Sequence, residues 1–270
     1  MPSRVRPPAV AGKFYPSDPN QLRANIQSYL SPRPEHLTAF GCIVPHAGYM
    51  YSGHVAGAVY SALDVPACCI LLCPNHTGMG QPLAIMSSGE WQTPLGSARI
   101  DAEMAISLRQ SFPLLTEDGE AHRKEHAAEV ELPFLQHLVA DFTFVPIALG
   151  TANFDILQAL GKAIADVLER KSGHVLIIAS SDMNHYEDDH ITREKDSKAI
   201  EYILALDARG LFDVVMREEI SMCGFGPAVA MLTAASRLGA ARGELIKYAT
   251  SGDVSGDRDM VVGYAGIVIR

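Results

Sequence analysis

The sequence has no long apolar run. Although 48% of its 270 residues are hydrophobic, no stretch approaches the ~18 apolar residues that a transmembrane helix needs. The first residues include basic side chains but no continuous apolar segment, so we expect no secretory signal peptide. The five cysteines are odd in number and form no Cys-X-X-Cys pair. This pattern predicts reduced thiols and a cytoplasmic location.

Positive charge is also scarce. Lys and Arg total 22 against 31 for Asp and Glu, which gives a net charge of −9. Non-specific nucleic-acid binding needs a basic face to neutralise phosphates, so we expect no nucleic-acid partner. The lack of a membrane segment likewise predicts no membrane partner. Glycine-rich nucleotide-binding motifs and the Gly-X-Ser-X-Gly nucleophile motif are absent as well.

Short apolar segments alternate with amphipathic segments along most of the chain. This pattern predicts one α/β domain over residues 1–270, with a mixed, mostly parallel central sheet flanked by helices on both faces. The predicted strands are Cys42–Val44, Cys69–Leu72, Leu83–Met86, Phe142–Ile147, Val175–Ala179, Leu245–Ala249 and Val261–Ile269. The predicted helices are one capped by Asp18, then His54–Leu63, Ala102–Ser111, Ala127–Val139, Phe154–Lys171, Arg193–Leu206 and Ala228–Leu238. We also expect a hairpin or loop around Trp91, and an antiparallel edge because no helix is predicted between the last two strands.

Three histidines follow predicted strands. His46, His76 and His185 each stand shortly after an apolar strand segment. Ligands of open α/β sheets bind outside the carboxyl ends of the strands, so these side chains would converge if their strands are neighbours. Neutral imidazole is the commonest protein metal ligand, and two or three can hold a divalent ion. A single such histidine is more typical of an ordinary core or surface residue, so the hypothesis depends on all three together.

Two further residues could join this site. Cys223 lies in a glycine-containing loop before the helix predicted at Ala228, where the helix dipole would favour a thiolate. The other four cysteines lie in or beside apolar strands and are predicted to be small buried hydrophobes. Asp182 stands three residues before His185 and could orient its imidazole or act as an acid or base. The alternative is that Asp182 caps a following helix.

The segment from His122 to His126 spells His-X-X-Glu-His, the inverted zinc-protease motif. On a helix the two histidines could share a metal, with Glu125 as the base. Five residues match such a pattern easily by chance, and Arg123 and Lys124 between them are typical of a solvated face. We therefore favour a polar helix start over a protease site.

Several longer motifs together resemble the Memo family. They occur in the family's order and span nearly the whole chain. The motifs are Arg6–Gly12 with Phe14–Pro16, Pro45–Tyr49 with Tyr51–Gly53, Pro74–His76, Glu125–His126 with Glu129–Leu135, Ser180–Tyr186, and Ser251–Asp253. The family's fold is similar to that of class III extradiol dioxygenases, which cleave catechols with non-haem Fe(II). The resemblance therefore implies the same fold for this chain.

The resemblance also implies a metal site. His46, His76 and Cys223 would be the ligands, with Fe(II) as the expected metal and Cu or Zn as alternatives. The dioxygenases use two histidines and one carboxylate, whereas a cysteine stands here in place of the carboxylate. A thiolate is softer, admits Cu(I), Zn(II) or Fe(II), and can itself be oxidised.

Four more residues would surround the metal if the resemblance holds. His185 matches the acid/base histidine of the dioxygenases, and Asp182 is the second expected catalytic residue. Tyr51 and His126 are expected to contact the substrate.

Three functions remain open at this stage. The first is a mononuclear non-haem iron redox enzyme acting on a small phenolic molecule. The second is a non-catalytic module that binds a peptide, phosphorylated or not, or a copper ion in the same cleft. The third is a zinc hydrolase with His185 or Asp182 as the base. The expected partner is thus a small-molecule or peptide ligand, and the oligomeric state is left open.

Overall fold

A mixed sheet of twelve strands runs through the residues that the computed structural model describes, 5–33 and 35–270. Residues 1–4 and 34, which belong to the predicted domain, lie outside this range. The strands are β1 Val5–Arg6, β2 Gly41–Val44, β3 Cys68–Pro74, β4 Leu83–Ile85, β5 Glu90–Thr93, β6 Gly96–Ile100, β7 Thr116–Glu117, β8 Thr143–Leu149, β9 Leu176–Ser180, β10 His185–Glu187, β11 Gly243–Thr250 and β12 Val261–Ile269. The predicted single-domain α/β fold class is confirmed.

Five parallel strands form the centre of the sheet, in the order β6, β8, β3, β9 and β2. Ala179 of β9 is paired with Leu72 of β3 on one side and with Ile43 of β2 on the other. The carboxyl ends of these three strands therefore lie side by side. β12 runs antiparallel to β2, β10 and β11, which confirms the predicted antiparallel edge. Trp91 lies in the β5–β6 hairpin, also as predicted.

Helices cover both faces of the sheet. They are α1 Pro19–Tyr29, α2 Tyr49–Ala62, α3 Ala102–Ser111, α4 Glu120–Arg123, α5 Leu132–Leu138, α6 Phe154–Leu168, α7 Asp189–Leu204, α8 Ala208–Arg217, α9 Phe225–Arg237 and α10 Gly252–Ser255. Gly41 is paired with Ile269, so these two residues face the same side, whereas Gly266 faces the other. A Cβ atom at Gly41 would meet Met231 of α9, and one at Gly266 would meet Val55 of α2. The two helices therefore lie on opposite faces.

The helix predicted at His54–Leu63 begins five residues earlier, at Tyr49. The backbone N–H of Tyr49 donates to the carbonyl of Phe14 at 2.7 Å, and its hydroxyl donates to the carbonyl of Val130 at 2.8 Å. These contacts come from segments that are distant in the sequence. They extend α2 into residues that carry no clear helical pattern of their own.

The helix predicted at Ala127–Val139 is divided. A 3-10 helix spans Glu129–Glu131, and α5 follows it and ends at Leu138. Pro133 lacks a backbone N–H and fits only the first turn of a helix, which explains why α5 begins beside it. The two glutamates of the 3-10 helix are buried, and this inward position is not predicted by the sequence.

Other elements also differ from the prediction. α7 begins at Asp189 rather than Arg193, because the side chain of Asp188 caps it by accepting from the backbone N–H of His190 and Ile191. α8 was not predicted. The four-residue α10 lies between the last two strands, where no helix was expected.

The cysteines lie where their apolar surroundings predicted. Cys42, Cys69 and Cys73 are fully buried, Cys68 is half-buried, and all are free thiols. Within the described ranges, every helix is too short or too polar to span a lipid bilayer.

Candidate metal centre

Candidate site residues follow the three neighbouring strands β2, β3 and β9. His46 lies two residues after β2, His76 two residues after β3, and Asp182 two residues after β9. Since these strands are parallel and adjacent, the three side chains meet at one edge of the sheet. The structure thus brings together residues that are more than 100 positions apart in the sequence.

The rings of His46 and His76 converge on Cys223. Nε2 of His46 lies 3.3 Å from Sγ of Cys223, and one ligand atom from each of the three residues lies within 4.8 Å of the others. In a tetrahedral site with bonds of about 2.0–2.3 Å, ligand atoms lie about 3.3–3.8 Å apart. The arrangement needs only a small contraction to hold an ion. Two imidazoles and a thiolate are a donor set that fits Fe(II), Zn(II) or Cu(I).

Each histidine is held by a hydrogen bond at its other ring nitrogen. Nδ1 of His76 lies 2.9 Å from Oε1 of Glu125, and Nδ1 of His46 lies 2.8 Å from Oγ of Ser180. Such outer partners fix the tautomer and the orientation of a metal-binding imidazole. With both Nδ1 atoms engaged, both Nε2 atoms are left for an ion.

Glu125 is the ionised partner of this pair. Its buried carboxylate also accepts from the backbone N–H groups of His76, His126 and Ala127, at 2.6–2.9 Å. Burial by itself raises the pKa of Glu125, but the hydrogen bonds from His76 and from the backbone outweigh it, and the pKa is lowered. The sequence indicated Glu125 as the base of the protease motif and as part of a family motif, but not as a partner of His76, behind which the structure places it.

Cys223 is placed by the glycine that follows it. Gly224 precedes α9, and a Cβ atom there would collide with Ser181, so only glycine lets this loop approach the end of β9. The backbone N–H of Asp182 donates to Sγ of Cys223 at 3.3 Å. Burial, together with the nearby carboxyl of Asp182, raises the pKa of the Cys223 thiol. This is opposite to the thiolate predicted from the helix dipole, and a bound cation would be needed to reverse it.

Asp182 holds the backbone of the first ligand. Its Oδ1 accepts from the N–H of His46 at 2.8 Å and of Ala47 at 3.3 Å. Burial raises the pKa of Asp182 to about 7. The alternative that Asp182 caps a helix is wrong, since the next helix is capped by Asp188.

His185 faces the same cavity as a neutral imidazole. Its Nδ1 lies 3.0 Å from the carbonyl oxygen of Ser221, which can only accept, so Nδ1 carries the proton and Nε2 has a lone pair. Burial lowers the pKa of His185. Its orientation comes from Ser221 and not from Asp182, contrary to one expectation.

These residues border a cavity of about 620 Å³. The ring of His126 stacks on that of His76 with centroids 4.7 Å apart, and the ring centroid of Phe14 also lies 4.7 Å from that of His126. The cavity wall includes Phe14, His126, Asp182, His185, Tyr186 and Tyr264. Tyr51 is partly buried and packs against a small apolar cluster that includes the wall residue Tyr264, and its expected contact with the substrate stays a prediction. Phe14 is a wall residue that the sequence did not indicate, because it comes from a segment far from the strand ends.

The zinc-protease pair does not form. α4 ends at Arg123, so His122 and His126 do not share a helix face. The ring of His122 is fully buried against Trp91, with centroids 5.5 Å apart, and burial lowers its pKa to about 4. His122 is therefore a core residue.

Fold and site together define a class: a single-domain α/β protein with a candidate centre of two histidines and one cysteine at the carboxyl ends of its central strands. Comparison with known proteins gives the family. A family model described as "Memo-like protein" matches residues 6–268. The chain belongs to the Memo family, as the motifs predicted.

Curated relatives match this chain over nearly their whole length. A MEMO1 family protein of Methanopyrus kandleri is 45% identical over 98% of this chain and 99% of its own. Relatives of the same description from Pyrobaculum arsenaticum and Methanosarcina barkeri are 42% and 43% identical, over 99% and 98% of this chain and 99% and 100% of their own.

The fold is shared with a solved structure. It is a crystal structure of an uncharacterized protein from Escherichia coli K12, with a TM-score of 0.56 at 10% identity, covering 84% of this chain and 98% of that one. At this identity the likeness concerns the fold alone.

Proposed function

We propose that the protein is a mononuclear non-haem iron redox enzyme resembling the extradiol dioxygenases, acting on a small phenolic molecule. The observation that carries the proposal is the convergence of His46, His76 and Cys223 beside the neutral imidazole of His185 in one cavity. Fe(II) held by these three residues would supply open coordination positions for O₂ and substrate.

The chain's own residues would bind and deprotonate the substrate. Nε2 of His185 has the lone pair needed to take the proton of a phenolic hydroxyl, because Ser221 holds the proton on Nδ1. Phe14, His126 and Tyr264 give the cavity an aromatic wall against which a planar ring can pack. Asp182 keeps His46 and the following loop in place through the backbone.

The proposal includes a cytoplasmic location. All five cysteines are free, and a reducing compartment keeps them so. A thiol ligand such as Cys223 would also be protected there from oxidation to a disulfide or a sulfinic acid.

Metal content after anaerobic purification tests the proposal. We expect about one iron per chain in the wild-type protein, and loss of this iron in Cys223→Ser. Cys68→Ser is the matched control. It makes the same change at a half-buried cysteine at the start of β3, the end of the strand that lies away from the site. O₂ consumption with a panel of catechols should be present in the iron-containing wild-type protein and Cys68→Ser, and absent in Cys223→Ser.

A second variant separates metal binding from turnover. His185→Gln should keep the iron and lose turnover by about 10²–10⁴-fold, the usual contribution of a general base. Zinc in place of iron, with no O₂ consumption, would favour the zinc hydrolase. Copper, or a bound peptide without product, would favour the binding module. Tight stoichiometric metal binding by the double variant His46→Ala, Cys223→Ala would show that the site is elsewhere.

A further inference from the structure

A buried acid lies behind His46, on the side of its ring that faces away from Cys223. Glu131 ends the 3-10 helix Glu129–Glu131 and is 1% exposed. Its Oε1 lies 3.0 Å from Oγ of Ser180, and that Oγ lies 2.8 Å from Nδ1 of His46. Glu131 therefore reaches a candidate metal ligand through a single hydroxyl group.

The hydroxyl of Ser180 has three partners but only one proton. Its third partner is the carbonyl oxygen of Ala127, at 2.8 Å, which can only accept. An imidazole that presents Nε2 to an ion carries its proton on Nδ1, so His46 donates to Ser180. Ala127 and an ionised Glu131 would compete for the single proton of Ser180, so one of these two contacts would then not be a hydrogen bond. All three hydrogen bonds coexist when Glu131 is a neutral carboxylic acid.

The surroundings of Glu131 agree with this proton count. Its other oxygen, Oε2, accepts from the hydroxyl of Tyr60 at 2.8 Å, as the carbonyl oxygen of a neutral acid would. The titratable groups that face it are Tyr49 and Tyr60 of α2, Cys42 of β2 and Asp182 after β9, none of them a cation. Burial raises the pKa of Glu131 to about 8, and its hydrogen bonds oppose this only in part.

We propose that Glu131 is a positioning residue: as a neutral acid acting through Ser180, it holds His46 in the tautomer whose Nε2 faces the metal. The inference rests on the proposed function, because His46 is a ligand there. It gives the two histidines different outer partners, since His76 is held by the ionised Glu125.

Two replacements of Glu131 separate donation from size. Glu131→Gln keeps an N–H donor for Ser180 and a carbonyl acceptor for Tyr60, whereas Glu131→Met has a similar length and no donor. Co(II) affinity, measured by competition with a chelator, should stay within about threefold of wild type in Glu131→Gln and fall about 10–100-fold in Glu131→Met. Thermal unfolding of each variant shows whether the fold is intact.

The tautomer of His46 gives a readout that a merely structural role would not change. ¹⁵N chemical shifts of the imidazole, assigned by loss of the signal in His46→Gln, should show Nδ1–H in the wild-type protein and in Glu131→Gln. In Glu131→Met we expect a mixture of tautomers. This measurement is made on the metal-free protein, so it decides the role of Glu131 even if the wild-type protein binds no metal and the proposed function fails.

Ser180→Ala tests whether the effect passes through the hydroxyl. The double variant Ser180→Ala, Glu131→Met should lose no more Co(II) affinity than Ser180→Ala alone, because the two changes break one chain of hydrogen bonds. Additive losses would overturn the proposal. So would a Glu131→Gln variant that behaves like Glu131→Met, since that result would require an ionised acceptor, or an unchanged tautomer in Glu131→Met.

Discussion

Replacement of Glu129 by Gln should destabilise the fold strongly. Glu129 is fully buried, and its carboxylate accepts four hydrogen bonds. They come from Nη1 of Arg6 at 2.6 Å, the backbone N–H groups of Ala9 and Val10 at 2.7 and 3.0 Å, and the hydroxyl of Tyr15 at 2.6 Å. Through these hydrogen bonds the carboxylate holds residues 6–15 against the core, and this segment places Phe14 in the cavity wall.

The expected magnitude follows from the burial of the charges. In Glu129→Gln, one oxygen becomes an NH₂ group that faces donors, and Arg6, which is only 4% exposed, loses its counter-charge. Removing one partner of a buried ion pair costs about 3–5 kcal/mol. Arg6 keeps its hydrogen bonds to the carbonyls of His122 and Glu125, both at 2.6 Å. We therefore expect Glu129→Gln to lower the free energy of unfolding by about 3 kcal/mol, the lower end of that range.

Urea unfolding followed by tryptophan fluorescence measures this loss. Trp91 is the sole tryptophan, and the guanidinium carbon of Arg6 lies 4.1 Å from its ring, so the signal reports on this region. Glu120→Gln is the matched control, because its partner Arg123 is exposed and solvent screens such a pair, so little change in stability is expected. A Glu129→Gln protein as stable as this control would refute the reasoning.

Two other variants test the fold and the site. Burial raises the pKa of Asp196 to about 7. The folded protein thus binds this proton more tightly than the unfolded chain. Between about pH 4 and pH 7, the free energy of unfolding of the wild-type protein should fall by up to about 4 kcal/mol relative to that of Asp196→Asn. Urea unfolding at pH 4 and pH 8 measures this, and the same difference between the two proteins at both pH values would contradict the prediction. Gly224→Ala should displace Cys223, because its Cβ atom would collide with Ser181, and weaken Co(II) binding at least about tenfold. Gly119→Ala, with open space around the new atom, is its control, and equal affinities would contradict the prediction.

Local sequence patterns predicted most of the longer helices and strands, but not the order in which the central strands pair. The apolar segments of β3 and β9 are visible because both faces of these strands are covered. The order that places β9 between β3 and β2 depends on contacts between distant segments, which periodicity does not contain. The same limit explains the early start of α2, which depends on the carbonyl of Phe14.

The candidate site was predictable to the same degree. The rule that ligands bind beyond the carboxyl ends of strands indicated His46, His76 and His185 from the sequence. The groups that orient them were not predictable. Glu125 lies 49 positions from His76, and Ser180 lies 134 positions from His46. Hydrogen bonds of this kind are made only when the chain has folded.

The charges around the centre favour a divalent ion. The lowered pKa of Glu125 gives one negative charge, and a coordinated Cys223 thiolate gives a second. The buried acids Asp182 and Glu131 have raised pKa values, so each carries less negative charge at neutral pH than an ordinary carboxylate, and Asp182, with a pKa of about 7, is only partly ionised. A divalent ion would therefore come closer to neutralising the cluster than Cu(I), which would leave more uncompensated negative charge in a buried site, and such charge is costly. This charge balance supports Fe(II) or Zn(II) over Cu(I). An ionised Glu131 would add a further negative charge and remove the balance.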